Sequence, residues 1–506
     1  MKDPRSSTVD DIVRRSADRH PDRVALVFGE RRWTYRELDD AVSRAAGHLL
    51  SLGLAPGNRV ATVGANSDAY LLAFLGCARA GLVHVPVNYS LTGGELTYLL
   101  AQSGSRAALV DPALFDPVTR VQPDTAVESV HVLHGADDSL LPRWQAGDVP
   151  AVDLDVADTD VVQLLYTSGT TSAPKGAMMT HRGLVHEYVS CIHALDFAAG
   201  DRPLHCMPLY HSAAMHVFLL PSLAVGATSH LMTRPDVAEI LHQVAAHEIT
   251  SLFLAPTVWV PLANHPALTE TDVSSLRKAY YGASIMPVPV LQRLQKELPE
   301  LGFYNCFGQS EIGPLATVLR PEEHDQRPES CGRPVLFVQT KVVDDAGATV
   351  EPGTPGEVLY RSPQLCVGYW DKPEATEEAF RDGWFHSGDL VAQDAEGYLT
   401  VVDRIKDVIN TGGVLVASRE VEDALYTHPA VAEVAVIATP DERWIEAVTA
   451  VVVLRPGATA DEAELIAHAR GRIAAFKLPK RVHFVDELPR NQSGKLLKRV
   501  LRDQIG

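Results

Sequence analysis

The apolar run Val161 to Tyr166 opens straight into YTSGTTSAPKGAMMTH, Tyr166 to His181, and no other junction constrains the chain as much. The run reads as a buried strand, so the residues after it leave a fixed strand end. Gly169 and Gly176 leave backbone N–H groups open to close approach. Thr167, Ser168, Thr170, Thr171 and Ser172 add hydroxyls, and Lys175 adds a full positive charge. Such a set of donors suits the oxygens of a polyphosphate. The plain alternative is a flexible Ser/Thr/Gly linker. The order also departs from the common phosphate loop, whose lysine follows a glycine and precedes Ser or Thr at a helix start. Here Pro174 precedes Lys175 and Gly176 follows it, which implies a nucleotide site of another kind.

On both sides of this junction helical and strand periods alternate, which is α/β character. Helices are predicted at Tyr35 to Leu52, Ser67 to Ala80, Arg182 to Leu195, Pro235 to Glu248 and Val288 to Glu297, with strands at Arg59 to Gly64 and Leu82 to Val87. Asp111 to Asp153 reads as surface strands and loops. Between Gly332 and Thr400, short strand-like runs carry turn pairs such as Pro352-Gly353 and Asp382-Gly383, which predict a small antiparallel β unit. Beyond Lys406 come strands at Val431 to Ile437 and Val448 to Leu454 and a helix at Asp461 to Ala474. The expected fold class is α/β, with a large N-terminal domain, residues 1–405, of two α/β lobes and the β unit. A small α+β C-terminal domain, residues 406–506, follows it.

At 506 residues, 46% apolar and 22% charged, the chain has the makings of a large enzyme of several domains. A formal net charge of -19 argues against general affinity for nucleic acid or anionic lipid. The six cysteines lie far apart without a CxxC pair, which excludes a zinc knuckle or disulfide framework and points to the reducing cytoplasm. Neither a signal region nor a membrane span is expected. The excess of arginine over lysine and the abundant alanine hint at a GC-rich bacterial genome.

Four further segments carry chemistry. In YNCFGQSEIGP, Phe307 suits stacking on a base, Gly308 permits close approach, and Glu311 suits a divalent cation. The bland readings are a core aromatic and a solvated carboxylate. In WFHSGDL, Asp389 is suited to accept from a ribose diol, or else is a turn aspartate. DRIKDVINTGG places Arg404 and Lys406 at the border of the two largest parts. LPRNQSGKLLKR sets Lys495 after a Ser-Gly turn.

Taken together, and in this order, these segments and the opening stretches WTYRELDD and APGNRVATVGANS resemble the acyl-CoA synthetases of the adenylate-forming superfamily. That superfamily also includes luciferases and the adenylation domains of peptide synthetases. The resemblance covers almost the whole chain and implies a mobile C-terminal lid. By motif, it implies that Thr167, Ser168, Gly169, Thr170, Thr171 and Lys175 hold the ATP phosphates and that Glu311, with Thr167, binds Mg²⁺. Phe307 would stack on adenine, with Gly308, Ser310 and the Gly282-Ala283-Ser284 segment beside it. Asp389 and Arg404 would hold the ribose, and Lys495 would bridge the substrate carboxylate and the α-phosphate. Lys406 would mark the hinge, the loop at Gly412 and Gly413 would serve the second step, and His211 would lie between the acyl pocket and the thiol route.

The implied reaction activates a free carboxylic acid with ATP to an acyl-adenylate and then forms the coenzyme A thioester, releasing AMP and pyrophosphate. Pro208 to Val217 offers no aspartate to pair a substrate ammonium, which favours a plain acid, fatty or otherwise bulky. Ala213-Ala214 and Gly282-Ala283-Ser284 leave room for it. A homo-oligomer is compatible with this reading. The chain departs from the family pattern at Ser172, where glycine is usual, and at Val414-Leu415, where many relatives carry Glu-Asn. Ser310 and Ser387 stand for commoner threonines. These departures leave alternatives: an enzyme restricted to thioester formation from a preformed adenylate, a loader of a carrier-protein thiol, or an adenylate-binding sensor.

Overall fold

The computed structural model describes residues 5–152, 154–167, 173–284, 286–412, 414–441, 443–490 and 496–505. Contacts divide the chain into two compact units. One comprises Met1–Pro328, Gly332–Gln339 and Arg361–Phe385; the other comprises Glu329–Cys331, Thr340–Tyr360 and His386–Gly506.

The first unit is built on two sheets among the described residues. The smaller runs, in spatial order, Ser129–Val132, Ser105–Val110, Arg59–Val63, Val83–Val87, Val161–Thr167 and Lys175–Thr180. All neighbours are parallel except the last pair. Val83–Val87 is buried at every position, as expected of a parallel strand covered on both faces. Helix Asp68–Arg79 is likewise buried all round, while helix Tyr35–Ser51 presents one apolar stripe and starts at a Thr34/Glu37 capping box. The larger sheet places Lys278–Gly282 and Gly302–Phe307 side by side in parallel.

The chain after Val161–Thr167 departs from the sequence reading. Lys175–Thr180 returns antiparallel along it, pairing Tyr166 with Gly176 and Thr167 with Lys175, a strand that the sequence reading did not assign. A Cβ at Gly176 would sit 3.1 Å from the Tyr166 ring, which explains the glycine. Asp111 to Asp153 is also more helical than expected, with helices Phe115–Val121 and Leu140–Gln145 beside the strand Ser129–Val132. Leu140, Leu141 and Trp144 recur at helical spacing and are buried, and that burial outweighs the polar residues between them.

A buried polar chain ties these layers together. The Tyr188 hydroxyl donates to His216 Nδ1 (2.8 Å), His216 Nε2 donates to Gln163 Oε1 (2.7 Å), and Gln163 Nε2 donates to His84 Nδ1 (3.0 Å). His84 Nε2 then reaches Thr62 Oγ1 at 3.0 Å. Each donor meets an acceptor only if both imidazoles are neutral. Burial lowers each to about 3, and for His84 the neighbouring His216 adds to the effect. The unfolded imidazole titrates near ~6.5, so their stabilisation is complete above that pH and is lost as pH falls towards about 3. Urea titrations of the wild type will show stability falling through this window. His216→Gln will flatten that acid limb by up to about 1.4 kcal/mol per pH unit.

Strands Gln339–Val343, Gly356–Arg361, Trp384–Gln393 and Leu399–Arg404 form the small β unit, most of which groups by contacts with the C-terminal residues in the second unit and not with the rest of residues 1–405. A further sheet runs Val414–Val416, Ile409–Thr411, Ile445–Leu454 and Val431–Asp441, with Arg481–Phe484 paired to Ile445–Leu454. Val421, Leu425, Val434, Val436, Val448, Val452 and Leu465 form its core with helices Ser418–Tyr426 and Glu462–Arg470.

Candidate active site

The strand Val161–Thr167 ends at Thr167, whose hydroxyl donates to Glu311 Oε1 at 3.1 Å. Glu311 sits in the short turn Ser310–Ile312 and is 7% exposed. The same Oε1 accepts from the Tyr369 hydroxyl at 3.0 Å, and the Glu311 carbonyl accepts from Cys366 N at 2.8 Å. Burial, and then the Glu311 charge, raises the Tyr369 phenol far above its ordinary value, so it remains a donor. Lys175 Nζ lies 5.0 Å from the Tyr369 ring centroid, a cation–π distance. A carboxylate, a hydroxyl and an ammonium thus gather at one hairpin end. Hard oxygen donors of this kind suit Mg²⁺, which keeps most of its shell for water and phosphate oxygens. Tyr369 was not singled out from the sequence, where no local pattern distinguishes it.

Two strand ends stand beside this cluster in the same unit. Gly282 pairs with Cys306, and a Cβ on Gly282 would lie 2.2 Å from the Cys306 carbonyl oxygen, so only glycine fits. Ala283 adopts a left-handed φ of 64°, strained for a residue with a side chain, and both it and Ser284 are exposed. Phe307 ends its strand half-buried, and Gly308 approaches Pro314 so closely that a Cβ would meet its carbonyl oxygen at 2.0 Å. Ser310 Oγ is 2.9 Å from Ser212 Oγ, which links the Glu311 turn to the residue after His211. His211 is half-buried, just before the π-helix Ala213–Leu219, a geometry frequent at functional sites.

In the second unit, Asp389 and Arg404 face each other across adjacent strands, with Arg404 Nε 2.8 Å from Asp389 Oδ1. Asp389 is 2% exposed, and its Oδ2 has no hydrogen-bond partner among the described residues. A buried acceptor left unpaired costs about 1–3 kcal/mol. The hydroxyl of a bound ribose would satisfy it. Lys406 lies exposed in the turn Ile405–Asp407. Gly412 has φ 64° at the end of Ile409–Thr411 and donates 2.6 Å to the Trp444 carbonyl. Val414 and Leu415 are exposed there. Ser168, Gly169, Thr170, Thr171, Ser172, Gly413 and Lys495 lie outside the described residues.

The chain matches the AMP-binding enzyme family over residues 13–370 and the AMP-binding enzyme C-terminal domain over residues 420–495. It is 38% identical over 492 residues to a feruloyl-CoA synthase of Amycolatopsis sp, spanning 97% of this chain and 98% of that protein. It is 35% identical over 505 residues to the medium/long-chain-fatty-acid CoA ligase FadD8 of Mycobacterium tuberculosis, spanning 96% of this chain and 88% of that one. Among solved structures, ATP-bound MatB from Rhodopseudomonas palustris matches with a TM-score of 0.91 at 30% identity, covering 98% of this chain and 99% of that one. The buried Glu311 carboxylate at the end of the Val161–Thr167 and Lys175–Thr180 strand pair, on a chain matched by both family models, fits a nucleotide-using enzyme. The chain belongs to the AMP-binding enzymes, in the adenylate-forming acyl-CoA synthetase superfamily.

Proposed function

We propose that the protein is an AMP-forming acid–thiol ligase that makes an acyl-CoA from a free carboxylic acid, ATP and coenzyme A. The observation that carries this reading is the Thr167–Glu311–Tyr369 cluster at the phosphate-loop hairpin, in a chain similar along its length to CoA ligases. In the first step a carboxylate oxygen bonds to the α-phosphorus while the bond to the bridging oxygen of pyrophosphate breaks. Two anions must approach, so the site supplies positive charge and donors. Lys175 and the loop hydroxyls hold phosphate oxygens, Glu311 and Thr167 hold Mg²⁺, and Lys495 bridges the carboxylate and the α-phosphate. Bound Mg²⁺ supplies neutralisation of the triphosphate charge. Phe307 stacks on adenine beside Gly308, and Asp389 and Arg404 take the ribose hydroxyls.

In the second step the thiol sulfur bonds to the acyl carbon and the bond to AMP breaks. His211 borders that route, and a C-terminal domain from residue 406 turns about Lys406 to bring in the Gly412-Gly413 loop. Thioester formation alone, carrier-protein loading and a silent sensor are not favoured, since Glu311 and Lys495 are both present in a chain similar to CoA ligases. The six cysteines are free and buried, in keeping with a cytoplasmic enzyme, and no described helix is long and apolar enough to cross a membrane.

The substrate is a hydrophobic acid without an ammonium group. Relatives include ligases named for an aromatic acid and for fatty acids, and no aspartate stands in Pro208 to Val217 to pair an ammonium. The test is pyrophosphate release and acyl-CoA formation with hydroxycinnamic, medium- and long-chain fatty and polycyclic acids. Both products with one class establish the ligase and name its acid. Thioesters only from supplied acyl-adenylates would sink the complete reaction.

A further inference from the structure

Glu187 is a carboxylate with no surface and no cation. It lies on helix His181–Ala194, directly after the phosphate-loop hairpin, and is 0% exposed. Its Oε1 accepts from Leu315 N at 2.9 Å and from Cys191 Sγ at 3.3 Å, while Oε2 accepts from Gln364 Nε2. No basic side chain pairs with it among the described residues. Burial raises its pKa to about 8, against the lowering effect of Leu315 N and the Cys191 thiol. Burying such a group without a counter-charge is unfavourable for stability. Groups that break a packing rule in this way tend to mark functional sites.

What Glu187 holds is the backbone behind Glu311. Gln364 Nε2, besides meeting Glu187, donates to the carbonyls of Ile312 and Leu315, each at 3.2 Å. Gln364 Oε1 accepts from Ser190 Oγ at 2.6 Å, so its amide is held in one orientation. Gly313, at φ 113°, rests on the carboxylate: a Cβ there would lie 2.8 Å from Glu187 Oε2. Just beyond Gln364, Cys366 N binds the Glu311 carbonyl and Tyr369 binds its carboxylate. The circuit closes from the phosphate-loop helix through 312–315 and 364–369 onto the residue that faces Thr167.

We infer that Glu187 is a positioning residue for acid activation: through Leu315 and Gln364 it fixes the 312–315 backbone so that Glu311 stays aimed at Thr167 and the bound nucleotide. The inference rests on the ligase reading above, in which Glu311 holds Mg²⁺. Above about pH 8, where Glu187 is ionised, an amide cannot replace the carboxylate silently: Oε1 and Oε2 accept from Leu315 N and Gln364 Nε2, and Glu187→Gln turns one of these contacts into donor against donor.

The experiment compares wild type, Glu187→Gln, Ser190→Ala and Cys191→Ala on the full chain. Pyrophosphate release is measured against ATP and Mg²⁺ concentration, thioester formation is measured from supplied acyl-adenylate, and Mn²⁺ binding with ATP is followed by electron paramagnetic resonance without acid. Glu187→Gln is expected to slow pyrophosphate release by at least thirtyfold and weaken Mn²⁺ binding about tenfold, with thioester formation within threefold of wild type. Ser190→Ala, which only frees the Gln364 amide, is expected to shift the same readouts in the same direction by less. Cys191→Ala removes one weak thiol donor to Oε1 and keeps Leu315 N and Gln364 Nε2 in place, so it is expected to shift the same readouts by far less than Glu187→Gln. Equal loss in both half-reactions, or unchanged Mn²⁺ binding, overturns the positioning role. Should Glu187→Gln not fold, Ser190→Ala decides by the same criteria. A wild type that releases no pyrophosphate with any acid overturns the ligase reading instead.

Discussion

Lys495→Ala slows pyrophosphate formation by about 10²–10³-fold and leaves thioester formation from supplied acyl-adenylate within a few-fold of wild type. The asymmetry comes from charge. Acid activation drives a carboxylate against a triphosphate, and a single ammonium that meets both is most valuable as the new bond forms. In the second step the carboxyl group is already a mixed anhydride with the phosphate of AMP, so the leaving AMP needs less help. Among the described residues nearby, Leu497 N donates to the Pro489 carbonyl at 2.8 Å, and Arg490 pairs with Leu496. Leu488 and Leu501 are buried in a small cluster with Ala435, Ile437 and Val451. The substitution therefore leaves the thermal midpoint unchanged. Rapid-quench assays of each half-reaction check the split, and equal losses in both would remove Lys495 from the first step.

Glu311→Gln lowers pyrophosphate release by about 10²-fold while the protein stays folded. The substitution keeps the volume and leaves an oxygen to accept from Thr167 and Tyr369, so the local hydrogen bonds survive. It also removes a charge from a nearly buried position, which costs stability nothing and can add to it. What it removes is the anionic oxygen that suits a hard divalent cation. Activity should need several-fold more Mg²⁺ for half-saturation, with the thermal midpoint equal to wild type or higher. A variant with the wild-type Mg²⁺ dependence would take Glu311 out of the metal site.

The elements of the large unit were legible because their patterns are local. Helix Val288–Glu297 and strand Val83–Val87 follow from apolar spacing and the turns around them, and the structure returns them within a residue or so. The hairpin return at Lys175–Thr180 was not legible, because KGAMMT has no strong alternation and pairs by register with Val161–Thr167. The same holds for the helices in Asp111 to Asp153, whose apolar positions make sense only against the sheet they cover.

The site divides along the same line. Sequence alone supplied the candidate groups: a strand end with hydroxyls, glycine and Lys175, the carboxylates Glu311 and Asp389, the basic residues Arg404 and Lys495, and their order along the chain. Residue type and local spacing carry that information, since they set which atoms donate, accept or bear charge. Only the tertiary structure decided which of them meet. Thr167 reaches Glu311 across 144 residues, and Tyr369 and Gln364 enter from a third segment with no motif that names them. Glu187 reads in the sequence as one more helix glutamate; its burial against Leu315 and Gln364 sets it behind Glu311. Contacts between distant segments depend on packing and register, and the composition of neither segment encodes the distance between them.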